Sequence, residues 1–111
     1  MDILSKYREI IAQVLSEYAK LPYSYGDLER RFVIGEDRNS YLLLTLGWQQ
    51  EQRVHGCLIH VEIKNNKVWI QRDGTEDGIT DELVAAGIPK EDIVLAFHPP
   101  EVRQYTEFAV S

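Results

Sequence analysis

His60 and Glu62 are two residues apart in an alternating segment, HVEIK, and side chains at i and i+2 of a strand share a face. An imidazole beside a carboxylate is the arrangement of a general base and its orienting group, or of two metal ligands. His55 precedes His60 by five residues, an odd separation, so the two imidazoles fall on opposite faces of a regular strand. Only a bulge would bring them to one metal, and Gly56 between them is the residue that could permit it. Cys57 lies mid-strand between Gly56 and Leu58, where a thiol is expected to be buried and inert. Thr75 and Glu76 set a hydroxyl beside an acid, but at the entrance to a helix such a pair caps the first turn. His98 stands before Pro99 and Pro100, a place for structural hydrogen bonding. There is no G-x-G-x-x-G, phosphate loop, C-x-x-C or nucleophile elbow. The favoured reading is therefore not an enzyme, and no cofactor or metal is expected. The alternative class is a small metal- or ligand-dependent enzyme using His60, Glu62 and Glu76.

These residues need a sheet to position them. Val61 and Ile63 alternate with His60 and Glu62, and Val68 and Ile70 alternate with Trp69 and Gln71, the period of strands with two different faces. Asn65-Asn66 lies between the two runs and tolerates the positive φ of a two-residue hairpin turn. Lys64 then pairs with Lys67, Ile63 with Val68, Glu62 with Trp69, Val61 with Ile70 and His60 with Gln71. One hairpin face is aliphatic; the other presents His60, Glu62, Trp69 and Gln71.

Residues 2–19 make an amphipathic helix with Ile3, Tyr7, Ile10, Val14 and Tyr18 on a stripe widened by Leu4, Ile11 and Leu15, and Asp2 placed to cap it. Residues 21–27 form a connector with turn chemistry from Pro22, Ser24 and Gly26. Strands follow at 28–34, 41–48, 53–63 and 67–72, separated by a charged loop at 35–39, a polar turn at 49–52 and the Asn pair. Arg30 shares the apolar side of the first strand and is expected near an edge. Gly56 inside the third strand marks a bulge or close packing. Residues 73–78 turn the chain into a second helix ending near Ala86, with Ile79, Leu83 and Ala86 buried and Gly87 as its left-handed stop. Residues 93–97 are a short strand or an apolar anchor, and an arm runs from His98 to Ser111. The fold class is α+β: an N-terminal helix, a four-stranded antiparallel meander, a second helix, a short apolar segment and a C-terminal arm, all in one domain spanning 1–111.

Composition bounds the partners. Hydrophobic content of 44% and charged content of 27% are those of a soluble globular protein. No run approaches a membrane span, no signal-peptide pattern opens the chain, and a single cysteine fits a reducing cytoplasm. The net charge of −6 disfavours autonomous nucleic-acid binding, because phosphate neutralisation supplies most of that affinity. A protein partner is the better expectation. Its docking surface is read as the polar-framed hairpin face, His60, Glu62, Trp69 and Gln71, together with the arm carrying His98, Arg103, Tyr105 and Phe108. The competing reading, favoured on burial grounds, folds the arm over that face, covers Trp69 and uses Arg103 to satisfy Glu62 or Glu76. The broad stripe of the first helix and the arm also allow a homodimer.

With these segments placed, the chain closely resembles the XisI family, controlling factors for excision of the fdxN element in filamentous cyanobacteria. The resemblance covers essentially the whole length. It is strongest in Gly47-Trp48, Gly56-Cys57-Leu58-Ile59-His60 and Lys67-Val68-Trp69-Ile70-Gln71. It continues in Asp73-Gly74-Thr75-Glu76, the run from Gly87 to Leu95, Phe97-His98-Pro99-Pro100, Arg103 and Phe108-Ala109. What the resemblance implies is a non-catalytic regulator associated with a nuclease-like companion, XisH, and with the site-specific recombinase XisF that removes a DNA element during heterocyst development. It carries over no catalytic residue.

Overall fold

The first helix, α1 (Ile3–Ala19), starts where its cap predicts. Asp2 is in extended backbone, and its Oδ1 accepts the Leu4 N–H at 3.2 Å. Tyr7, Ile11, Val14 and Leu15 form the buried stripe, with Leu4 and Ile10 packed beside it. This computed structural model describes residues 2–20, 27–75 and 78–111. Of the expected connector at 21–27, residues 21–26 lie outside the described residues, as does Glu76 with its capping role.

Four strands follow as antiparallel neighbours: β1 (Asp27–Ile34), β2 (Ser40–Gln49), β3 (Gln52–Lys64) and β4 (Lys67–Asp73). Arg30 lies on the helix side of β1, an edge strand, and its Nη1 donates to the Tyr18 carbonyl at 3.1 Å near the end of α1. Asn65 and Asn66 hold φ of 52° and 64°, the two positive values that a type I′ turn requires. The pairs Lys64↔Lys67, Ile63↔Val68, Glu62↔Trp69 and Val61↔Ile70 form as the alternation predicts.

Beyond Val61 the register departs from expectation twice. His60 pairs with Arg72 rather than Gln71, which leaves Gln71 as the extra residue of a bulge in β4. In β3, Leu43↔Ile59 is followed by Leu44↔Cys57, so Leu58 is the extra residue there. The bulge falls at Leu58 and not at Gly56, where an added Cβ would meet no atom within 4 Å. One extra residue reverses the face of everything beyond it. His55, opposite Leu46, and Cys57, opposite Leu44, therefore share a face with His60, opposite Leu42, and Glu62, opposite Ser40. The expectation that His55 and His60 point to opposite sides is corrected by this slip.

The sheet is five-stranded and mixed, not a four-stranded antiparallel meander. After β4 the chain crosses back through α2 (Thr80–Ala86), so Ile93–Leu95 re-enters in the same direction as β4 and pairs parallel to it as β5. All three β5 residues are buried, an apolar run whose state periodicity cannot decide. The entrance to α2 is organised by Asp73 rather than by Thr75. Its Oδ2 accepts the Ile79 N–H at 2.8 Å, and its Oδ1 accepts the Thr75 hydroxyl at 2.7 Å. The exit is as expected: Gly87 takes φ 124°, and Gly87 and Ile88 donate to the Val84 and Leu83 carbonyls. Ile79 and Leu83 are buried, but Ala86 is exposed and Ile88 takes the place expected of it in the core.

Both longer helices cover one face of the sheet. The core there joins Tyr7, Ile11 and Leu15 of α1 to Ile79, Leu83 and Ile88 and to the inward residues Tyr41, Leu43, Ile59, Val61, Val68 and Ile70. The arm is also more ordered than expected. A 3₁₀ turn at Lys90–Asp92 precedes β5, a single-turn helix α3 (Pro100–Arg103) follows, and Ala109 donates its N–H to the Ile93 carbonyl at 2.9 Å on the outer edge of β5.

Candidate functional site

The face turned away from α1 carries the residues read as a docking surface, and the arm closes over part of it. Trp69 is 9% exposed. Its Nε1 donates to the Lys64 carbonyl at 3.0 Å, while Lys64 Nζ lies 4.8 Å and the Arg103 guanidinium 5.6 Å from its ring centroid. Arg103 does not tie down Glu62, and Glu76 lies outside the described residues. Arg103 donates instead to the carbonyls of His98 (3.1 Å), Ala96 (3.3 Å) and Val110 (3.5 Å). The planar fork suits that task, because a turn of arm leaves several carbonyls without ladder partners in reach of one guanidinium. The self-covering alternative thus describes Trp69, and the described partners of Arg103 are backbone oxygens.

The other site residues separate into two groups. His60 Nε2 and Glu62 Oε1 are 3.7 Å apart, each side chain about one third exposed, at 32% and 34%. Gln71, on its bulge, is half-buried beside them. Along the arm, His98 is half-buried with its ring against that of Phe97, centroids 4.7 Å apart. Phe108 packs onto the core under Lys90, which also pairs with Glu107 at 2.6 Å. Tyr105, by contrast, is 83% exposed. Phe97 and Val102, on either side of Pro99-Pro100, are exposed as well, and neither was read from the sequence as a docking residue. Towards β1 the same sheet face presents Leu42, Leu44 and Leu46, half-buried, with Val33 exposed beside them.

The chemical potential of this surface is limited. Burial pushes the Cys57 thiol up against the opposing influence of Arg72, and Sγ donates to the Ile59 carbonyl at 3.2 Å, so a thiolate is disfavoured. Although the bulge brings His55 and Cys57 to the face of His60, no group of three His, Cys, Asp or Glu side chains able to hold a metal forms among the described residues. A groove of about 320 Å³ lies elsewhere, between α1 and the β1–β2 turn, lined by Arg8, Arg38 and Tyr41. Arg8 Nη2 is bound to Asn39 Oδ1 at 3.0 Å, and its Nε faces no partner but is shielded from solvent as well.

The whole chain tells which relatives share this architecture. The family model for XisI protein matches residues 1–110. The chain belongs to the XisI family. Among solved structures, a XisI-like protein from Anabaena variabilis ATCC 29413 is 39% identical, with a TM-score of 0.89 over 97% of this chain and 99% of that one. The fdxN element excision controlling factor XisI from the same organism is 40% identical, with a TM-score of 0.83 over 99% of this chain and 100% of that one. No curated protein matches the chain. The residues that carried the XisI resemblance are largely structural here. Asp73 shapes the approach to α2, Gly87 ends it, and Arg103 clamps the arm. No helix among the described residues is long and apolar enough to cross a membrane.

Proposed function

We propose that this XisI-family chain is a non-catalytic regulator of site-specific excision of a DNA element of the fdxN type, acting through protein contacts. The partner is a XisH-like companion, with the site-specific recombinase as a second interactor, and the setting is the cytoplasm. The observation that carries the reading is the arm. It is pinned by Arg103 over Trp69 and carries Tyr105 at 83% exposure, with Phe97 and Val102 exposed as well, while the sheet presents the one-third-exposed His60–Glu62 pair. An exposed aromatic on a segment anchored by an arginine is the composition of an interface hot spot. Trp69 and Arg103 support that surface from beneath, and Gln71, His98 and Phe108 set its border. A net charge of −6 supports action through proteins rather than by gripping DNA.

Co-expression with the XisH-like companion, followed by size-exclusion chromatography with light scattering, tests this. A discrete mixed complex is expected. Tyr105→Ala should weaken it at least about tenfold, the loss typical of a hot-spot tyrosine, with the unfolding midpoint unchanged because the side chain packs on little. Separate peaks at micromolar concentration, or a complex indifferent to Tyr105→Ala and Phe97→Ala together, would remove the arm from the interface.

A further inference from the structure

Arg38 stands at φ 61°, left-handed backbone that Gly or Asn adopts more readily. The turn around it is locked. The Gly35 N–H donates to the Ser40 carbonyl at 2.7 Å, the Arg38 N–H to the Gly35 carbonyl at 2.9 Å, and the Tyr41 hydroxyl to the Arg38 carbonyl at 2.7 Å. A long, exposed cation is thus mounted on a rigid turn where a glycine would meet no steric cost. Arg8, half-buried on α1, lines the same groove. Its Nη2 donates to the Asn39 side chain at 3.0 Å, and its Nε is buried without a partner. Among the described residues no carboxylate oxygen lies within 4.0 Å of either guanidinium. A half-buried charge normally has a counter-charge to offset its lost hydration. Arg8 has a neutral amide.

The two cations act on one place. Burial raises the Tyr41 hydroxyl, and Arg8 and Arg38 are the charges that pull against it, so both are within electrostatic reach of the same oxygen. The groove they share holds about 320 Å³, at the small end of protein ligand sites, which run roughly 300–1,000 Å³. Ala12 and Ile34, the latter 41% exposed, give it an apolar wall, and among the described residues Glu9 is the one carboxylate in its lining. Two arginines against one glutamate leave the groove one positive charge in excess, in a chain whose total is −6. We propose that it binds a small organic monocarboxylate, with the head between Arg8 and Arg38 and the apolar body along Ala12 and Ile34. The guanidinium fork matches a carboxylate through two parallel hydrogen bonds. One negative charge completes the balance, whereas a phosphate dianion brings a second that Glu9 opposes. The groove lies on the helix side of the sheet, so its fate is independent of the companion-docking surface on the other face.

Titration of the isotope-labelled full chain with phenylpropionate, followed through backbone amide shifts, tests the proposal. Saturable shifts are expected at residues 5–12 and 34–41, with a Kd of about 1 mM or below, the range open to a ligand of this size. Phenylpropanol, the same body without the charge, should bind at least about tenfold more weakly, and so should phenyl phosphate as the dianion. Arg38→Asn suits the left-handed turn and removes only the charge, so it should weaken the acid about tenfold with the unfolding midpoint unchanged. Glu9→Gln, on the exposed side of α1, should tighten the acid and admit phenyl phosphate. Absence of saturation at about 10 mM acid, or shifts centred outside the groove, overturns the proposal. So does an alcohol or a phosphate that binds the parent chain as tightly as the acid, or an affinity that Arg38→Asn leaves unchanged.

Discussion

Gly47 holds φ 142°, and a Cβ built there lies 2.0 Å from the Asp27 carbonyl oxygen and 2.9 Å from Leu28 Cα. Both obstacles are backbone, so nothing flexible can yield. Gly47→Ala should cost about 2–4 kcal/mol in urea unfolding, through strain and displacement of the β1 end. Gly56, also inside a strand, is the control. Its added Cβ meets nothing within 4 Å and its backbone is ordinary, so Gly56→Ala should fall within about 0.5 kcal/mol of the parent or stabilise it slightly by restricting the unfolded chain. The sequence draws attention to both glycines, but it cannot rank them. What separates them is the approach of a neighbouring backbone, which no local pattern encodes. The same limit applied to His55: its face was assigned by counting, and the count failed because Leu58 bulges.

At the level of elements, the arm and β4 hold each other. Trp69 is covered by Arg103, and Arg103 is held by three arm carbonyls. Arg103→Ala should destabilise by about 1–3 kcal/mol, since it removes hydrogen bonds from a charged donor. It should also speed amide exchange at Ala109, whose bond to Ile93 depends on the arm lying down. Arg103→Lys should recover little, because one ammonium cannot span the three oxygens. Trp69→Ala should cost about 3–5 kcal/mol as a buried large-to-small change. A double-mutant cycle that finds no coupling between the two positions would refute the mutual support. The hairpin that carries Trp69 was legible because Asn65-Asn66 and strict alternation act locally. The covering of Trp69 was not, because Arg103 reaches it from 34 residues away in sequence (103 minus 69).

For the whole molecule, one contact ties the first helix to the last part of the sheet. The Tyr7 hydroxyl, buried at 1% exposure, donates to Asp92 in a short hydrogen bond just before β5. Burial first, and Asp92 second, push the Tyr7 hydroxyl up from 10.0 to about 12. The folded state then keeps a proton that the unfolded chain releases, so its contribution to stability is complete below pH 10 and is lost as pH rises towards 12. Thermal unfolding should show a midpoint falling across that window. Tyr7→Phe should lower the midpoint near neutrality, by about 1–2 kcal/mol for the lost bond, and flatten the fall at high pH. An unchanged alkaline slope in Tyr7→Phe would locate the titration elsewhere.

Helix α1 with its Asp2 cap, the four antiparallel strands, the Asn65-Asn66 turn and the Gly87 stop were determined by the sequence itself. Each rests on neighbours within a few residues: a period, a side-chain cap, a turn that only certain φ values allow. Only the tertiary structure decided that Ile93–Leu95 is a fifth, parallel strand, that the bulge at Leu58 regroups His55 and Cys57 with His60, and that Trp69 lies under Arg103. Those outcomes depend on where distant segments dock. A run of three apolar residues or an extra residue in a ladder satisfies local rules equally well in either arrangement, and burial against the rest of the chain selects between them.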